Sequence, residues 1–137
     1  MELTKYRNWF YAAALYNFVW GTITVLFPTL FWDTVGLDRP SYLPLWQVIG
    51  MFVLVYAPAY YWAGRYPEKY GLLILIGFIG KLFGPIGFVF ALLTDQLPIE
   101  FGLNLITNDL IWWIPFALYL HQFAKTKGGW LPFIMGE

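Results

Sequence analysis

Two residues stand where apolar side chains are the rule. Lys81 lies within "GFIGKLFGPIGF" (Gly77 to Phe88), and Asp109 lies within "TNDLIWWIPF" (Thr107 to Phe116). A lysine inside an apolar run can hold a polar or anionic group, and an aspartate can serve as counter-ion, acid or base. Either charge at bilayer depth costs several kcal/mol unless it is paired, wetted or able to reach the surface, so both are functional candidates. Pro85 adds to the oddity. A proline removes the helix hydrogen bond to the carbonyl four residues earlier, here that of Lys81 itself. Such a freed carbonyl is tolerated only where it faces protein or a wet cavity.

Further polar residues fall within apolar runs: Asn17, Thr24, Gln47, Tyr56, Asn108 and Tyr119. Helix geometry tilts each side chain toward its own N-terminus, which turns Lys81 and Asp109 away from each other. The expectation is two polar tiers, one joining Lys81 to Asn17, Tyr56 and Tyr119, the other joining Asp109 and Asn108 to Gln47 and Thr24. A kink at Gly84 and Pro85 would merge them into one channel. Trp20, Trp112 and Trp113 lie too deep for an interfacial belt and either line such a cavity or fill the core. Gly77, Gly80, Gly84 and Gly87 share one helical stripe, the pattern that lets another helix approach closely.

Other chemistries are excluded or lack residues. The chain has no cysteine and a single histidine, His121, which removes thiol chemistry, iron–sulfur ligation and a haem held by two histidines of one chain. No catalytic residue, metal ligand set or cofactor is assigned, and His121 reads as an interfacial residue. Eight basic and eight acidic residues cancel, with no basic groove for nucleic acid.

The elements that position these residues are membrane helices. The chain is 60% hydrophobic, 23% aromatic and only 12% charged over 137 residues, too apolar for a soluble domain. Runs near the ~20 residues that span a bilayer occur at about 9–31, 43–62, 71–94 and 104–124. The Ala12 to Ala14 triplet opens the first run rather than closing it, so that run reads as a retained helix, not a cleaved signal. The loops are short and rich in Gly, Pro, Asp and Asn, which makes neighbouring spans antiparallel. The predicted fold is an all-α antiparallel four-transmembrane-helix bundle over 1–127, bent at the interior Pro58, Pro85 and Pro115, with an apolar tail at 128–137.

Charge orients the bundle. Lys5, Arg7, Arg65, Lys69, Lys125 and Lys127 fall on one side and only Arg39 on the other, so both termini are expected in the cytoplasm and the protein in the plasma membrane. Aromatic residues near the span ends, among them Tyr6, Tyr60, Trp32 and Trp46, read as interfacial anchors. The tail "GGWLPFIMGE" is too short to span and either lies in the inner interface or docks on a partner.

Four short apolar helices with little outside the bilayer resemble the layout of DoxX-like small membrane proteins, and "GKLFGPIGF" and "TNDLIWWIPF" are similar to stretches of uncharacterised bacterial four-helix proteins. The resemblance implies an accessory subunit of a membrane redox complex and carries over no functional residue. The leading expectation is a non-catalytic protein acting by association, with other membrane subunits or with itself. The alternatives are a binder or carrier of a small apolar or anionic molecule held at Lys81, and an intramembrane enzyme on a lipid-like substrate using Asp109.

Overall fold

The computed structural model describes residues 2–137, and among these residues the only regular elements are helices. After a short 3-10 turn at Thr4–Tyr6 come α1 (Arg7–Leu26), α2 (Leu30–Val35), α3 (Leu43–Arg65), α4 (Gly71–Leu93), α5 (Gly102–Leu105), α6 (Ile111–Thr126) and α7 (Trp130–Met135). Three stretches, Thr4–Leu26, Leu43–Arg65 and Gly71–Leu93, are long and apolar enough to cross a membrane.

The helix ends follow local chemistry. The first expected span stops early, because Phe27 precedes Pro28 and leaves the helical region at φ −129°, as residues before proline do. The last two residues of the expected span, Leu30 and Phe31, instead open the separate helix α2, closed by Gly36 in the left-handed conformation at φ 72°. Pro44 sits in the first turn of α3, where its missing N–H costs nothing. The fourth expected span is a helical run that opens with a 3-10 turn at Ile99–Phe101 and passes through a π turn at Ile106–Leu110. Its longer α-helical part, α6, has 16 residues, and the short α5 lies before the π turn.

The most extensive helix pair is α1 with α3, and its contact is between small residues. A Cβ on Gly21 would stand 2.8 Å from the carbonyl oxygen of Gly50, and one on Gly50 3.1 Å from that of Gly21. At the other end Arg7 Nε donates to the Gly64 carbonyl at 3.0 Å. The start of α1 therefore lies beside the end of α3. α4 packs mainly on α6, and more lightly on α3.

Two aromatic clusters occupy opposite ends. One gathers Phe10, Tyr60, Phe116, Tyr119, Phe123 and Phe133, all buried. The other stacks Trp32, Trp46, Phe31 and Phe101, with the two tryptophan rings 5.1 Å apart. Trp32, Trp46, Tyr6 and Tyr60 are thus buried core residues rather than interfacial anchors. The tail forms α7, whose Phe133 is buried against Phe123 at 5.0 Å. It docks on its own chain and turns Leu131 and Met135 outward.

Candidate functional site

Between the two clusters lies a chamber of about 190 Å³. Its polar wall is made by Asn17 of α1, Tyr56 and Tyr60 of α3, Lys81 of α4, and Asn108 and Asp109 of the π turn. Asn17, Lys81 and Asp109 are at most 4% exposed, a depth at which polar groups demand partners.

Lys81 Nζ donates to the Asn108 carbonyl at 2.6 Å. Around the ammonium stand the rings of Tyr60, Trp112 and Phe116, with centroids 5.6, 5.7 and 6.0 Å away, within the range of cation–π attraction. No ion pair closes between Lys81 and Asp109, and the one ion pair among the described residues is Asp33 with Arg39, at 2.8 Å. The Asp109 carboxylate instead lies over Gly84, where a Cβ would stand 2.6 Å from Oδ2. Its other oxygen accepts from Asn108 Nδ2 at 3.3 Å.

The carbonyl released by Pro85 is satisfied. Trp113 Nε1 donates to the Lys81 carbonyl at 2.9 Å, supplying from α6 the bond that proline denies α4. The π turn is held in the same manner. Its Thr107 carbonyl accepts from Trp112 Nε1 at 2.9 Å, its Asn108 carbonyl from Lys81, and its Thr107 hydroxyl bonds the Tyr16 hydroxyl of α1 at 2.9 Å. Single π turns of this kind often mark functional sites.

Two acceptors in the chamber lining remain without partners, Asn17 Oδ1 and Asn108 Oδ1. Asn17 Nδ2 is engaged with the Val53 carbonyl at 3.1 Å, which fixes the free oxygen of the same amide. A buried amide oxygen without a partner costs about 1–3 kcal/mol, so both could accept from a donor in the space, although Trp32 Nε1, Asn104 Oδ1 and Gln122 Oε1 are also unpartnered outside it. The mouth is lateral: Ile49 and Phe52 line the chamber and are 48% and 65% exposed, on the outer face of α3.

The expected two tiers are therefore corrected to one chamber. The helical run holding Asp109 begins at Ile99 rather than Asn104, which sets the aspartate ten residues deep, about 15 Å at the α-helical rise, level with Lys81. Asn17, Tyr56, Lys81, Asn108 and Asp109 come together, whereas three expected members do not. Tyr119 donates to the Pro67 carbonyl at 2.6 Å, tying α6 to the loop after α3. Gln47 Nε2 donates to the Val25 carbonyl at 2.8 Å, capping the last turn of α1, and Thr24 packs on Gly50. Trp112 and Trp113 act as donors behind the wall, and Trp20 packs on Trp46.

The glycine stripe of α4 also has a different use from the helix approach expected of it. Gly77 makes room for the Tyr60 hydroxyl and Gly84 for the Asp109 carboxylate, while Gly80 has only the Tyr56 hydroxyl, 3.9 Å from its would-be Cβ, and Gly87 meets nothing within 4 Å. One residue and one contact escape the sequence reading. Tyr60 looked like an end-of-span anchor, and the close α1–α3 contact was legible only in the seven-residue spacing of Gly50, Ala57 and Gly64.

Among the described residues no group of three or more His, Asp or Glu side chains is placed to hold a metal ion. No protein-family model, curated protein or solved structure matches the chain.

Proposed function

We propose that the chain is a multi-pass plasma-membrane protein that binds a small amphiphilic molecule in the Lys81–Asp109 chamber. In this reading the run Gly102–Thr126 forms a fourth span, the four spans make an antiparallel bundle, and the basic residues at both ends keep the termini in the cytoplasm. The observation that carries the proposal is the unclosed charge pair. Lys81 and Asp109 line one mid-helix space with two partnerless amide oxygens, and that space opens toward lipid.

The lining favours an uncharged head. Lys81 and Asp109 present opposite charges to one occupant, so a bare anion attracted by the lysine would also meet the carboxylate. A head carrying both a donor and an acceptor satisfies Lys81, Asp109 and the two amide oxygens together. Size agrees, since a dry cavity of about 150 Å³ takes benzene and this one is about 190 Å³. A single-ring head enters through the lateral mouth and leaves its apolar remainder among the lipid chains.

Native mass spectrometry of gently extracted protein, with carried small molecules identified, tests this. Lys81→Met keeps the volume and removes the ammonium that would donate to the bound head, and a hydrogen bond to a charged group is worth about 1.5–3 kcal/mol, so occupancy falls about tenfold or more in a folded protein. Unchanged occupancy in that variant refutes the reading. The same spectrum tests the association reading, in which the chain is an accessory subunit as the DoxX-like layout implies. Its remaining structural motives are the outward face of α7 and the open Gly87 position, because Gly77 and Gly84 are filled from within the chain. Co-purified foreign subunits in place of a small molecule would favour it.

A further inference from the structure

A second site lies on the opposite flank of α3, where an apolar groove of about 610 Å³ runs between α1 and α3. Ala14, Leu15 and Phe18 of α1 and Ala57 and Pro58 of α3 form its apolar length, and Tyr11 and Tyr61 its end. Arg7 precedes Tyr11 by four residues and Arg65 follows Tyr61 by four, which places each arginine one turn beyond a tyrosine on the same helix face. The two tyrosine rings meet at 5.7 Å.

Both guanidinium groups are incompletely used. Arg7 donates through Nε to the Gly64 carbonyl at 3.0 Å, and Arg65 through Nε to the Tyr66 hydroxyl at 3.2 Å. Among the described residues neither forms an ion pair, and the terminal nitrogens of both make no hydrogen bond. Two guanidinium forks with free terminal nitrogens therefore lie one turn beyond the tyrosine end of the groove, outside its lining, that of Arg65 with its central carbon 5.5 Å from the Tyr66 ring centroid. That geometry suits a phosphate, which arginine binds through paired N–H groups.

We propose that this groove binds one anionic membrane phospholipid, with an acyl chain along Leu15, Phe18 and Pro58 and the phosphodiester between Arg7 and Arg65. Apolar contact alone cannot select the occupant, because lipid tails are as apolar as the groove. Selection rests on the arginines, and the tyrosines stand at headgroup level beside them.

The test is reconstitution of the full chain in vesicles of equal phosphatidylglycerol and phosphatidylcholine, followed by mild extraction and native mass spectrometry of the retained lipid. Each arginine near an anionic headgroup is worth about fivefold in binding. Phosphatidylglycerol is expected to dominate the bound lipid, and Arg65→Gln to cut its enrichment about fivefold. Arg65 is the deciding position because its only hydrogen bond is to its neighbour, whereas Arg7 also holds α3. Leu15→Trp, at a 64% exposed position, fills the groove without touching the core and is expected to lower lipid occupancy with the arginines intact. Equal retention of both lipids, enrichment unchanged in Arg65→Gln, occupancy unchanged in Leu15→Trp, or a dimer whose interface seals the groove would each overturn the assignment.

Discussion

Replacing Trp113 by Phe removes the one donor that satisfies the Lys81 carbonyl, and the damage depends on a residue that Trp113 does not bond. With Pro85 present, the α-helical N–H that would bond that carbonyl is missing. Orphaning a buried carbonyl costs about 1–3 kcal/mol, so Trp113→Phe is expected to destabilise by that amount plus the loss of ring contact. With Pro85→Ala, residue 85 recovers an N–H and the helix bond to Lys81 can form. The ring-contact loss is common to both backgrounds and cancels in the cycle, which leaves a coupling of about 1–2 kcal/mol between two positions on different helices. Equilibrium unfolding in mixed micelles, read by helical circular dichroism for the wild type, both single variants and the double variant, measures it. Additivity within about 0.5 kcal/mol would show that Trp113 does not stand in for the missing backbone bond.

Within α4, Gly84→Ala and Gly87→Ala are expected to part in sign. The first puts a Cβ 2.6 Å from Asp109 Oδ2, which destabilises by about 1–3 kcal/mol and lowers chamber occupancy. The second meets nothing and stabilises by up to about 1 kcal/mol through helix propensity, so thermal unfolding of both variants decides whether the stripe serves side chains or a partner helix. Outside the spans, the Arg39 guanidinium bonded to Asp33 at 2.8 Å holds that carboxyl below its ordinary range. Its contribution to stability is fully present above the unfolded aspartate value and is lost as pH falls through the folded one. An NMR titration of Asp33 is expected to show a low midpoint that rises in Arg39→Gln, and an unmoved midpoint would remove the pair as its cause.

The apolar runs at α3 and α4 were legible nearly to the residue, because length and composition alone set bilayer-spanning helices. Lys81, Asp109 and Pro85 were legible as a site for the related reason that each violates a rule for such helices. Depth was less so. Asp109 was placed from the expected start of its helix, and a helical run beginning five residues earlier, at Ile99 instead of Asn104, moved it to the level of Lys81. Gln47 and Tyr119 were misassigned because their partners are backbone carbonyls at Val25 and Pro67, which no side-chain pattern marks. Tyr60 and Trp46 show the same limit from the other side, since an aromatic near a span end reads as an anchor whether it faces headgroups or a neighbouring ring.

The distribution of broken rules separates a site from a structural bond. A lysine at mid-helix costs about 2.5–3.5 kcal/mol on insertion scales, and an aspartate used only as glue would recover that cost best by closing on it. Here the two charges share a space without pairing. Lys81 reaches past Asp109 to the carbonyl of Asn108, and the carboxylate rests on a glycine that leaves it room. The proline, the π turn and the partnerless oxygens of Asn17 and Asn108 belong to the chamber or brace its wall, whereas Trp32 Nε1, Asn104 Oδ1 and Gln122 Oε1 are unpartnered away from it and the long small-residue contact between α1 and α3 keeps to ordinary packing. The chamber is distinguished by the kinds of departure it gathers, a charge pair left open, a proline and a π turn, which is the pattern expected where structure serves a ligand rather than stability alone. A closed Lys81–Asp109 pair would have argued for glue.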